Sequence, residues 1–216
     1  MATFVLIHGA GDSGWAWHLV AAELRARGHE AIAPDLPDDP AADLNAYAGA
    51  VVAAVGDRRD TIVVGHSFGA FTAPLVAGRL AADGLVLVAG MVPAPGERPS
   101  DWWGNVGHVG GGDEDPFVTY YHDVPRPLAE EALRRQRAHP SAVAYEQPWP
   151  LERWPAVPTR FVLLRQDRCF PAGLFRRLVP QRLGITPEEL DAGHCAALAR
   201  PRELAGRLSD ATWPGK

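Results

Sequence analysis

A doubly wound α/β fold on a mostly parallel sheet is what this sequence predicts, and three observations predict it. Short apolar runs alternate with stretches of helical periodicity along much of the chain. The runs are continuously apolar, the pattern of strands covered on both faces. Glycine-rich turns follow the first and third of them, as expected at the carboxyl ends of parallel strands. With 216 residues, 47% of them apolar, residues 1–216 suffice for one domain with a sizeable core and are short for two.

The elements follow in order. "ATFVLIH" is a strand ending in a glycine turn, and "WAWHLVAAELRARG" repeats apolar residues at helical spacing until Gly28 stops it. "EAIAPD" reads as a short second strand, "LNAYAGAVVAAV" as a helix and "TIVVG" as a third strand. "FGAFTAPLVAGRLA" then begins a helix, and "GLVLVAG" and the distant "TRFVLLR" are two further buried strands. Between those two, from about 92 to 157, the rhythm breaks. That stretch is rich in Pro, Gly, Trp and His, with a helical middle at "PLAEEALRRQRAH", and is too long for an ordinary connection. It is predicted to be an inserted lid.

Charge and cysteine usage narrow the function. The formal charge of -5 comes without any block of like charges, so neither a nucleic-acid footprint nor a polybasic membrane patch is present. The expected partner is a small-molecule substrate. Residues 1–25 lack a basic region followed by a long apolar one, and no stretch reaches the roughly 18 apolar residues of a membrane span. A cytoplasmic location is the expectation. The two cysteines, Cys169 and Cys195, form no CxxC pair, and no histidine falls in an HExxH pattern, so no metal and no organic cofactor is expected. Both thiols are expected free and near each other, because they follow Asp167 and His194 at similar distances.

The stretch "TIVVGHSFGAF" carries the chemistry. A residue at a sharp strand-to-helix turn is lifted above the sheet edge, and the crowded backbone there admits only small neighbours. Ser67 between Gly65 and Gly69 fits that nucleophile elbow, G-x-S-x-G. The pentapeptide is weak alone, since a helix-capping serine in an ordinary turn looks the same. The strand before it and the small-residue helix after it give it weight. Such a serine needs a base, an acid to orient the base, and donors for an oxyanion. Asp167 in "QDRCFP" follows a strand, and His194 in "DAGHCAAL" lies in a loop before a helix, in the order Ser, Asp, His. In "IHGAGDSGW" the first turn offers the amide of Ala10, which with the amide of Phe68 would surround a developing negative oxygen. His8 is expected to brace that loop.

The same turn spells G-x-G-x-x-G with Gly9, Gly11 and Gly14, and Asp35 stands at the spacing of a ribose-binding acid. A dinucleotide-binding oxidoreductase is therefore an alternative. It would want a Tyr-x-x-x-Lys, whereas Lys216 is the only lysine, and it leaves GHSFG, Asp167 and His194 unexplained.

Taken together, "FVLIHGAGDSGWAWHLVAAELRARGHEAIAPDLPD", "GHSFG", "QDRCFP" and "AGHCAALARPREL" resemble the α/β-hydrolase superfamily, in particular the branch of plant methyl-ester esterases and hydroxynitrile lyases. The likeness covers roughly residues 2–90 and 159–208. It implies a catalytic triad of Ser67, Asp167 and His194 with oxyanion amides on Ala10 and Phe68. The similar lyases carry Thr where Gly9 stands and Lys where Cys195 stands, so the resemblance implies hydrolysis rather than cyanide chemistry. The dehalogenases and epoxide hydrolases of the superfamily would have Asp at position 67. The implied activity is cleavage of a small hydrophobic ester, thioester or lactone through an acyl-enzyme. A non-hydrolytic ligand-binding or tailoring role is the alternative. Trp15, Trp17, Trp102, Trp103, Tyr120 and Tyr121, with Phe68, are candidate walls of an apolar pocket, and His108 and His122 candidate polar contacts.

Overall fold

The computed structural model describes residues 1–108 and 112–210; residues 109–111 of the predicted insertion lie outside the described residues. Six parallel strands make one sheet: β1 (Thr3–Ile7), β2 (Glu30–Ile32), β3 (Thr61–His66), β4 (Gly84–Val88), β5 (Thr159–Leu164) and β6 (Glu188–Leu190), in the order β2-β1-β3-β4-β5-β6. The four central strands are almost wholly buried, which is why they read as unbroken apolar runs. The last strand, "EEL", has no such run and was not legible in the sequence.

Helix α1 (His18–Ala26) carries the chain from β1 out to β2, and α2 (Leu44–Val55) brings it back past β1 to β3. The Asp43 side chain starts α2 by accepting a 2.6 Å bond from the Ala46 amide, and Gly56 in a positive-φ conformation ends it. Helix α3 (Ala73–Leu80) then joins β3 to β4 and packs on α2. Among the described residues between β4 and β5 there are four short helices: α4 (Pro99–Asn105), α5 (Pro116–Thr119), α6 (Arg126–Arg134) and α7 (Ala142–Glu146). Beyond β5 come α8 (Ala172–Leu183), β6, α9 (Ala196–Ala199) and α10 (Pro201–Ser209), the last packed on α1. Because parallel crossovers are right-handed, the reversal of strand order between β1 and β3 sends α1 to one face and α2 and α3 to the other. The gap between the carboxyl ends of β1 and β3 is the usual place for a ligand in such a sheet.

The main core lies on both faces of the sheet, with Phe4, Tyr47, Phe71, Phe161 and Phe175 among its largest fully buried side chains. A second, smaller cluster joins Tyr121, Val124, Ala129 and Ala132 of the insertion to Cys195 and Leu198. The insertion is also anchored by a partly buried ion pair, in which the Arg182 guanidinium of α8 donates to both oxygens of the buried Glu97, at 2.5 and 2.9 Å. No described helix is long and apolar enough to cross a membrane.

Candidate active site

The strand β3 ends in a turn that forces Ser67 into a left-handed conformation at φ 50°. A non-glycine residue held there carries strain of about 1 kcal/mol or more and persists only where its surroundings over-determine it. Here they do. A side chain at Gly65 would come within 2.7 Å of Ala73 Cβ, and one at Gly69 within 2.6 Å of the His8 carbonyl. The elbow is thus wedged between its own following helix and the end of β1, and the Met91 amide fixes it further by donating to the Ser67 carbonyl at 3.0 Å.

The loop after β1 is held just as firmly. His8 donates from Nδ1 to the Gly9 carbonyl at 2.9 Å while its Nε2 accepts from the Leu36 amide at 3.1 Å, which fixes the neutral tautomer. The Gly11 amide donates to the His139 carbonyl at 2.7 Å, and the Arg137 amide to the Gly11 carbonyl at 3.1 Å, so the insertion clamps the loop from outside. Asp35, at the ribose-acid spacing, is engaged otherwise: it accepts from the Gly14 amide at 2.7 Å and faces Arg137 at 3.5 Å. The amides of Ala10 and Phe68 make no turn, loop or cap hydrogen bond among the described residues, and both residues line the cavity that Ser67 faces.

Asp167 and His194 meet beside them. The buried His194 ring donates from Nδ1 to Asp167 Oδ2 at 2.8 Å, and the other carboxylate oxygen accepts from the amides of Cys169 and Phe170 at 2.8 and 2.9 Å. Burial works against a charge on Asp167, but His194 and the two amides outweigh it and hold the carboxyl below its usual range. Burial likewise opposes protonation of His194, and Asp167, aided by Asp12, more than offsets it, so the imidazole sits above its ordinary value. His66, next to the elbow serine, donates from Nε2 to the His194 carbonyl at 3.0 Å. Burial depresses its own pKa to about 3, so it is neutral.

Ser67 and His194 open on a cavity of about 670 Å³, roofed largely by the insertion. Trp103, Tyr120 and Tyr121 line it, as expected of them, and so do Tyr145, Phe170 and Met91, which carried no signal in the sequence. Three other expectations are corrected. Trp102 is fully buried, its Nε1 donating to the Val92 carbonyl at 2.9 Å; neighbours on a helix point about 100° apart, so only Trp103 turns to the cavity. Trp17 is in the core, edge-on to His66. Trp15 stacks on His18 at 4.4 Å with the Arg135 guanidinium beyond, because the chain turns away from the cavity at the anchored Gly14. His108 and His122 do not line the cavity either. Their Nε2 atoms bond the carbonyls of Cys169 and Gln166, at 3.3 and 2.9 Å, and so tie the insertion to the Asp167 loop.

Cys169 and Cys195 both border the cavity as free thiols. Burial pushes Cys169 up to about 12 and Cys195 well above its ordinary value, so neither is a thiolate near neutral pH. Asp12, in the turn quoted above but not singled out in it, also faces the cavity; burial raises its carboxyl to about 7 against the pull of His194. Among the described residues no group of three or more His, Cys, Asp or Glu is arranged to hold a metal ion.

Known proteins share this arrangement of elements. Norfluorocurarine synthase 1 from a Strychnos species is 23% identical, over 96% of this chain and 94% of that protein. The carbendazim hydrolyzing esterase of Nocardioides sp. (strain SG-4G) is 26% identical, over 97% and 99%. The solved structure of an extracellular alpha/beta-hydrolase from a Paenibacillus species superposes with a TM-score of 0.82 at 20% identity, covering 98% of this chain and 99% of that one. The sequence profile of the alpha/beta hydrolase family matches residues 4–207; the chain belongs to that family.

Proposed function

We propose that the protein is a serine hydrolase of small hydrophobic carboxylic esters, with Ser67 as nucleophile, His194 as base and acid, and Asp167 orienting it. The observation that carries the reading is the convergence, on one largely apolar cavity, of a serine held at positive φ and a buried histidine bonded to a buried carboxylate. The esterases among the relatives support the same class of reaction.

The chemistry follows from the placement of the groups. His194 takes the Ser67 proton as the oxygen attacks the ester carbonyl, and the amides of Ala10 and Phe68 receive the negative charge on the carbonyl oxygen. Each such donor is typically worth about 3 to 4 kcal/mol of barrier. The imidazolium returns its proton to the departing alkoxide, leaving an acyl-enzyme on Ser67. Water, deprotonated by the same imidazole, then releases the acid. Asp167 keeps Nδ1 protonated, so that Nε2 is the basic nitrogen. The insertion acts as a lid whose aromatic side chains, Trp103, Tyr120 and Tyr121, contact the apolar parts of the substrate. Threonine, present in the similar lyases, would crowd the elbow at position 9, where a Cβ would lie 3.0 Å from Ser67 Cβ and the serine would have to shift slightly.

The test is hydrolysis of p-nitrophenyl butyrate by the wild type and by Ser67→Ala. A loss of at least about a thousandfold in kcat supports the reading; an unchanged rate, or no turnover by the wild type across short acyl chains, contradicts it.

A further inference from the structure

The charges around the cavity point to a narrower substrate class. No lysine or arginine lines it among the described residues, although arginine is abundant in the chain. Among the described residues one carboxyl group lines it, that of Asp12; the other carboxyl beside His194, Asp167, lies behind the imidazole and outside the lining. Asp167 is fully engaged by His194 and two amides. Asp12 differs: it faces the open space from the loop after β1, and its carboxylate takes no hydrogen bond or ion pair from a described residue.

The titratable groups facing Asp12 from neighbouring elements are His66, His194, Cys195 and Tyr121. His66 is neutral, and burial pushes both Cys195 and Tyr121 upward, so none of those three supplies a cation. Among the described residues His194 is the one group whose charge is seen to act on Asp12, and on the reading above it must be neutral to start the reaction. A carboxylate in this position lacks a counter-charge that a substrate could bring. The walls suit the same guest, because the aromatic side chains of Trp103, Tyr120 and Tyr121 line the cavity, and aromatic rings attract ammonium groups electrostatically.

We propose that the cavity selects esters bearing an ammonium group, either a protonated amine or a quaternary nitrogen, with Asp12 as the specificity-determining carboxylate. This deepens the serine-hydrolase reading and rests on it for the direction of the substrate. His194 hands its proton to the leaving alkoxide, so a carboxyl beside His194 faces the alcohol half of the ester, and the ammonium group belongs there. Esters with an anionic alcohol portion are disfavoured by the same field. Asp12 is charged above about pH 7 and neutral below it, so the selection strengthens as the pH rises through that range.

The test uses butyrylcholine and neohexyl butyrate, a pair alike in shape that differ by one positive charge. Binding of each to the Ser67→Ala protein is measured by calorimetry, at about pH 8.5 and about pH 5.5. The expected result is about tenfold tighter binding of the cationic ester at the higher pH, with the ratio falling toward one when Asp12→Asn is added. The ratio also falls at the lower pH, where Asp12 takes up a proton and a protonated His194 adds repulsion; the Asp12→Asn comparison isolates the carboxylate. Equal binding, a preference for the neutral ester, no measurable binding of the cationic one, or a preference that survives Asp12→Asn overturns the proposal. The charge comparison needs no Asp12 variant to fold, since it is read first in protein that retains Asp12. A failure of the hydrolase reading would show separately, as absent turnover of both esters by protein that retains Ser67.

Discussion

His194 and Asp167 are joined by a 2.8 Å hydrogen bond from Nδ1 to Oδ2, at side chains that are 6% and 0% exposed. Nothing about the pair is free to rotate: the second carboxylate oxygen is held by the Cys169 and Phe170 amides, and the His194 backbone by His66. The pair presents Nε2 of His194 toward the cavity in one tautomer. Asp167→Asn would leave the shape intact and favour the wrong tautomer. A fall in kcat of about ten-thousandfold on p-nitrophenyl butyrate is expected, with KM little changed. A variant within a factor of ten of the wild type would mean that His194 does not need this partner.

The pH dependence has a definite sign. The pKa of His194 is raised, so the proton stays on to higher pH than in a free imidazole, and the neutral form needed as base is lost as pH falls through that raised value. The acidic limb of kcat/KM should therefore lie above the ordinary 6.5. Asp12 contributes to the elevation, so Asp12→Asn should move the limb downward. Because Asp12 and His194 act on each other's charge, the limb reports the pair together. A pH-rate profile with its limb below the ordinary value contradicts this electrostatic picture.

Gly9 lies against the elbow. An added Cβ there would stand 3.0 Å from Ser67 Cβ and 3.3 Å from His66 Nδ1. Gly9→Thr should displace the serine by a fraction of an ångström and lower kcat by about a hundredfold, with the protein still folded. Steady-state kinetics with a circular dichroism spectrum for each protein checks both halves.

Neighbouring tryptophans separate packing from binding. Trp102 is fully buried and Trp103 lines the cavity. Trp102→Ala should cost about 3 to 5 kcal/mol of stability, by cavity formation and the loss of the bond to the Val92 carbonyl. Trp103→Ala should instead raise KM for aromatic or bulky esters and cost less stability. Equal losses of stability in urea unfolding would place both in the core.

The Arg182–Glu97 ion pair binds the inserted segment to α8, with side chains 15% and 4% exposed. Removing one partner leaves a buried charge behind, so Arg182→Ala should cost about 3 kcal/mol or more. For a chain of this size that lowers Tm by roughly 6 to 12 °C. A scanning calorimetry shift of less than about 2 °C would show the pair to be dispensable.

The fold was largely legible because buried parallel strands leave an unambiguous trace. "FVLIH", "TIVVG" and "TRFVLLR" could belong to little else. Strand β6 escaped because "EEL" is a short edge strand whose Glu188 pairs with Arg160 at the rim instead of entering the core. Ser67 and Asp167 could be singled out because each follows a legible apolar strand, and His194 because it stands in a loop just before a helix. The cavity wall was not, because it is assembled from distant parts of the insertion. Helical phase alone decides that Trp103 and not Trp102 reaches it. Asp12 stood in plain view within "HGAGDSGW", yet only the fold shows that it faces His194's cavity without a partner.

The central claim is that Ser67 is an activated nucleophile. Its most direct test is the intact mass of the protein after treatment with a fluorophosphonate, for the wild type and for Ser67→Ala. The account predicts a single adduct on the wild type, formed within minutes at neutral pH and absent from the variant. A well-folded wild type that takes no adduct, or a Ser67→Ala protein that is labelled equally, would contradict it.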